Sequence, residues 1–161
     1  MDESRHEGRC TCGDIRYRVT AAPIVVHGCH CTWCQRETGS AFAINAVVEA
    51  DRVVIESGAP EPVVTPTLSG RGQRVWRCPR CRVALWSNYA GAGERINFVR
   101  VGTLLEPGRG PPDIHIFTST KLPWVALPQG ATSFPEFYEP AKVWSADALA
   151  RFKAARAKPV S

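Results

Sequence analysis

Seven cysteines hold most of the chemistry open to this chain, and none of them stands alone. They fall as Cys10-x-Cys12, Cys29-x-Cys31-x-x-Cys34 and Cys78-x-x-Cys81. Such tight spacing lets two or three thiolates of one turn converge on a single ion, and in a reducing compartment a dense cysteine set binds metal more often than it forms disulfides. Cys78-Pro79-Arg80-Cys81 reads as a zinc knuckle at a hairpin tip, because a thioredoxin-like redox pair needs a βαβ context that its flanks lack. A knuckle brings two ligands. Cys10 and Cys12 are the obvious second pair. The middle group is different, since it places three thiolates within six residues. Four protein ligands close a structural zinc site, whereas three leave the open position of a catalytic one. Four and three account for every cysteine.

Zinc held by three thiolates has a net charge of −1, which makes it a poor Lewis acid and a good holder of a fourth thiolate. A coordinated thiol is deprotonated outright, so a nucleophile forms at neutral pH from a group whose free pKa is about 8.5. Near these ligands stand residues with two readings each. His115 lies in an Ile-His-Ile strand and faces away from Ile114 and Ile116, toward substrate or solvent. Trp33 lines a pocket or packs in the core, and Ser40 binds a substrate carboxylate or caps a turn. These three are the candidate substrate-binding residues. His30, between two ligands on an extended segment, is expected to point away from the metal as a structural histidine, with substrate contact as the alternative.

The formal charge is +5, but seven thiolates on two zinc ions would lower it to +2. Arg71, Arg74, Arg77, Arg80 and Arg82 lie in one acid-free stretch around Cys78 and Cys81, where they are expected to offset the −2 of a four-thiolate site. That stretch has only Trp76 as an aromatic, which argues against nucleic-acid binding.

The scaffold reads as one domain of short strands. Its 161 residues suffice for a single core without cross-links, so a metal must serve another purpose. A hydrophobic share of 44 %, a charged share of 22 % and 13 each of Gly and Pro exclude disorder, collagen and coiled coil. Alternating segments at Ile15 to Val19, Ile24 to His27, Ala41 to Glu49, Arg52 to Glu56, Pro62 to Thr65, Gln73 to Arg77, Val83 to Ser87, Arg95 to Val101 and Ile114 to Thr118 predict an all-β domain with antiparallel pairing. Ser145 caps a predicted helix over 146–157. Aromatic residues between Leu122 and Trp144 argue for a tail packed on the domain. Neither a signal peptide nor a membrane span is legible, so a soluble cytoplasmic protein is expected.

Gly8 to Tyr17, Cys29-His30-Cys31-Thr32-Trp33-Cys34, Gly39-Ser40-Ala41-Phe42, Ser69-Gly70, Cys78-Pro79-Arg80-Cys81, Gly102-Thr103-Leu104 and Ile114-His115-Ile116 with Pro123-Trp124 together resemble the GFA family, named for glutathione-dependent formaldehyde activation. The likeness is collinear from about Gly8 to Leu127. It implies a β-tent of antiparallel sheets with two zinc ions per chain: a structural one on Cys10, Cys12, Cys78 and Cys81, and a catalytic one on Cys29, Cys31 and Cys34. The implied activity is that of a carbon-sulfur lyase or synthase, joining glutathione or a similar thiol to formaldehyde or another small aldehyde, or the reverse. One departure stands out, since Arg82 replaces the glycine usual after the second knuckle cysteine, where φ > 0 would be permitted. Domain bounds follow as a flexible 1–7, a zinc domain over 8–127 and a packed extension over 128–161. The expected partners are small thiols and aldehydes, with no nucleic acid and no membrane, in a monomer or homodimer. A redox switch built on the middle cysteines and a non-catalytic partner-binding domain on the same scaffold are the competing readings.

Overall fold

Exposed Arg16 and half-buried Arg18 alternate with buried Tyr17 and Val19, and this segment forms strand β2 (Arg16–Val19). It pairs antiparallel with β1 (His6–Arg9) on one side and β5 (Val53–Ser57) on the other, making a three-stranded sheet. The computed structural model describes residues 5–159. Residues 1–4 of the expected flexible terminus lie outside them, whereas His6 and Glu7 are already in β1, opposite Val19 and Arg18. Of the β1 residues only Gly8 is buried, so no apolar alternation announced this strand.

The second sheet has eight strands: β3 (Val25–Cys29), β4 (Ala43–Glu49), β6 (Glu61–Thr65), β7 (Gln73–Arg77), β8 (Ala84–Tyr89), β9 (Ile96–Arg100), β10 (Ile114–Ile116) and β11 (Thr132–Ser133). Their order is β11-β10-β3-β4-β9-β8-β7-β6. The expected antiparallel pairing holds from β3 to β6 across the sheet, but β10 joins β3 and β11 in parallel. A parallel pair needs a long crossover, and the chain between Cys29 and Ile114 supplies one.

Both faces of the large sheet are buried at its central strands, which is why β4 reads as an almost continuous apolar run. Ala46 and Val48 face a core shared with Tyr17 and Val19 of the small sheet. Ala43 and Val47 face a second core with Cys29, Cys31, Cys34, Ile114 and Ile116. Residues beyond the parallel edge cover this second core with Tyr138, Ala148 and Ala155, backed by Phe134, Trp144 and Phe152. Two helices of that segment are α2 (Pro140–Val143) and α3 (Ala146–Ala157). Ser145 caps α3 by accepting from the Ala148 N–H at 3.1 Å, as expected. Arg151 then ties it to both carboxylate oxygens of Glu49 at 2.8 Å.

Two helices were not anticipated, the single turn of α2 and a longer one before β4. Thr32–Thr38 forms α1, where a loop of ligands was expected; Cys31 caps its start through sulfur and Gly39, at φ +63°, ends it in the left-handed region. Seven residues are too few to display helical periodicity.

Candidate functional site

Two hairpin tips meet at the first cysteine group. The turn between β1 and β2 carries Cys10 and Cys12, and the turn between β7 and β8 carries Cys78 and Cys81. The turns are alike: the Cys10 N–H donates to the Ile15 carbonyl and the Cys78 N–H to that of Val83, both at 3.1 Å. Cys10 and Cys12 sulfurs are 3.5 Å apart, and those of Cys12 and Cys78 are 3.7 Å apart. Tetrahedral zinc with bonds of about 2.3 Å sets its sulfurs about 3.8 Å apart, so the arrangement fits such an ion. All four sulfurs lie within 4.8 Å of one another. Backbone N–H donation from Cys12 and Val83 lowers the Cys81 thiol to about 6.

Arg82 keeps the left-handed turn that glycine would favour, with φ +64°. In that turn the Arg82 N–H donates to the Cys78 carbonyl at 3.0 Å. The arginine stretch is used differently from expectation. Arg74, Arg77, Arg80 and Arg82 pair with Glu94, Glu37, Asp14 and Glu61, so carboxylates take most of the charge assigned to the thiolates.

Cys29, at the end of β3, and Cys31 and Cys34, around the start of α1, form the second group; all three are buried with sulfurs within 4.8 Å. Sulfur contacts from Cys29 and Cys34, then the N–H groups of Cys34 and Trp33, hold the Cys31 thiol far below its ordinary value. The same contacts and burial drive Cys29 upward. Either group can hold a metal ion.

The candidate substrate residues separate. Trp33 sits on α1 and is 36 % exposed, while Ser40 is exposed just past the helix, where its N–H donates to the Gln35 carbonyl at 3.3 Å. His115 is buried on the opposite sheet face from Cys29: its register partner is Gly28, where an added Cβ would lie 2.7 Å from its Nδ1. There it meets His30, with Nε2 of His30 and Nδ1 of His115 at 3.0 Å, and His30 stacks on Phe42. Burial lowers the pKa of both imidazoles, that of His30 to about 4. His30 and His115 are thus hydrogen-bonded to each other within the fold.

Two polar clusters on the cysteine face escaped the sequence reading. Trp144 Nε1 donates to the Tyr138 hydroxyl at 2.6 Å, which in turn meets His27 Nε2 at 2.5 Å. Burial pushes His27 down to about 4, in keeping with a neutral ring that accepts from Tyr138. Arg100 is buried on β9 beside Asn45 and Ser87. Its signal was available, as Ile96, Phe98 and Arg100 alternate on one face and a charge thus falls at an inward position.

A family model described as glutathione-dependent formaldehyde-activating enzyme matches residues 5–120. The chain belongs to this family. A protein of Halomonas elongata named "Putative glutathione-dependent formaldehyde-activating enzyme" is 28 % identical over 126 residues, covering 75 % of this chain and 80 % of that protein. The crystal structure of a Rhodobacter sphaeroides protein, 19 % identical, covers 62 % of this chain and 87 % of its own with a TM-score of 0.47. The GFA match contains both cysteine groups and ends before the segment that covers the second core. Among the described residues no helix is long and apolar enough to cross a membrane.

Proposed function

We propose that this GFA protein is a zinc-dependent carbon-sulfur lyase or synthase acting on a small thiol and an aldehyde, with glutathione and formaldehyde as the reference pair. One observation carries the reading: Cys29, Cys31 and Cys34 converge, and among the described residues no fourth Cys, His, Asp or Glu joins them. In this reading Cys10, Cys12, Cys78 and Cys81 hold a structural zinc, and the three-cysteine group holds a catalytic one with a free position. Zinc there would supply thiol activation, since a coordinated thiol loses its proton at neutral pH. The chain's own part is to orient and enclose. Cys31 is set by the N–H groups of α1, and Gln35 fixes the ligand segment by donating to the His30 and Thr120 carbonyls at 2.8 and 3.0 Å. Tyr138 and Trp144 belong to the apolar cover over the same core.

In the synthetic direction the thiol sulfur bonds to the aldehyde carbon, the carbonyl π bond opens, and the thiol proton ends on the new hydroxyl. Cleavage is the reverse. A cytoplasmic setting suits the seven unpaired cysteines.

Exchange between glutathione and its formaldehyde adduct, followed beside the spontaneous reaction, tests the proposal. Wild type should exceed the blank and Cys31→Ser should match it. Rates equal to the blank for a panel of thiols and aldehydes would leave a non-catalytic scaffold.

A further inference from the structure

Three thiolates around a divalent ion leave a charge of −1, and here that charge would sit among Val25, Ala43, Val47, Ile114 and Ile116. Burying an unpaired charge is costly unless something compensates it. Strand β9 brings a compensating group to the same face. Arg100 is 7 % exposed and lies opposite Asn45 in the sheet, two residues from Phe98, which packs on the core that contains the three cysteines. Its guanidinium donates to the Asn45 side-chain oxygen and, at 3.0 Å, to the Ser87 hydroxyl. Both acceptors are neutral, and its Nε is buried with no partner.

Every ion pair of the described residues is made by another base, so no carboxylate neutralises Arg100. A buried guanidinium without an anion is as costly as a buried thiolate without a cation. Each needs what the other offers, and the register brings them to one patch of the same sheet face: on β4, Asn45 pairs with Arg100 two residues from Ala43, which pairs with Cys29.

We propose that Arg100 is the counter-ion of the three-cysteine site, a positioning residue that makes the metal-loaded group electrically neutral. A divalent ion, three thiolates and one guanidinium sum to zero. A fourth, anionic thiolate then brings the buried site to −1 instead of −2, so Arg100 favours both retention of the metal and entry of the thiol. This rests on the reading of Cys29, Cys31 and Cys34 as a metal site.

A plain strut joining β4, β8 and β9 is the competing role, and Asn45→Asp separates the two. That variant keeps Arg100 and its geometry but supplies a carboxylate where the asparagine oxygen already accepts, which cancels the charge and strengthens the strut. Full-length protein loaded with zinc would be titrated with a chromophoric chelator, which reads the two sites in turn. Arg100→Gln and Asn45→Asp should each weaken the three-cysteine site by roughly tenfold or more, while the four-cysteine site is unchanged and Arg100→Lys retains most of the affinity. Unchanged affinity in folded Asn45→Asp overturns the counter-ion role, even where Arg100→Gln fails to fold. A wild-type protein that holds no zinc on the three cysteines overturns the metal reading with it, whereas a zinc-loaded wild type with unaffected variants overturns this inference alone.

Discussion

Arg77 physically links the two cysteine groups. Its guanidinium donates to the Glu37 carboxylate on α1, whose first turns hold Cys31 and Cys34, and to the Arg82 carbonyl in the Cys78–Cys81 turn at 3.0 Å. Both side chains of the ion pair are largely shielded, at 23 % and 16 % exposure. Arg77→Met should therefore lower stability by about 1.5–3 kcal/mol, the range for hydrogen bonds to charged groups, seen as a lower urea midpoint. Adding Glu37→Gln to that variant should cost little more, because the pair is already broken. Strictly additive losses would mean that the two residues do not act through each other.

The two groups should differ in what their loss does. Cys78→Ser would open the proposed structural site between the β1–β2 and β7–β8 turns, and structural zinc contributes on the order of 10 kcal/mol in small domains, so this variant should fail to fold or melt far lower. Cys31→Ser should keep the fold and lose only the readily chelated metal. Thermal melts with zinc counts on both proteins decide it, and similar unfolding of both would erase the distinction between a structural and a labile site.

Arg82 pays a conformational cost in the left-handed region, while its ion pair with Glu61 is 3.5 Å long and exposed on both sides. Residues with a Cβ lose roughly 1–2 kcal/mol there, and exposed pairs return little. Arg82→Gly should raise stability by up to about 1 kcal/mol, net of the extra freedom of glycine in the unfolded chain. A higher melting temperature at unchanged zinc content is the expected result; a lower one would show that the Arg82 side chain matters more than its backbone.

Acid should loosen the C-terminal helix first. Burial acts to raise the Glu49 carboxyl, but the two bonds from Arg151 outweigh it and hold the group below its ordinary range. Lys158 likewise lowers Asp51. Carboxyls depressed in the folded state stabilise it above their unfolded values, about 4.3 for Glu and 3.9 for Asp, and that contribution fades as pH falls through the lower folded values. The protection factors of α3 amides, corrected for intrinsic exchange, should fall below about pH 4.5. Glu49→Gln should be less stable than wild type at pH 7 and converge with it near pH 3, and a constant gap across that range would exclude the linkage.

Much of this protein is local enough to be read from sequence. Two or three cysteines in one turn must act together whatever the rest of the chain does, so the cysteine pair at the β7–β8 tip and both cysteine groups were legible, as were strands with strict alternation such as Arg16–Val19 and the capped helix over 146–157. What pairs with what was decided by tertiary structure. Strand β10 accepts a parallel neighbour because the edge of β3 is free, and that register turns His115 away from the cysteines and onto Gly28 and His30. Carboxylates from four separate segments, not thiolates, claim most of the arginines around Cys78. Arg100 looks in sequence like one more basic residue in a strand. Only the sheet, by burying both of its faces, turns that position inward and leaves a guanidinium among neutral partners on the face of the three thiols.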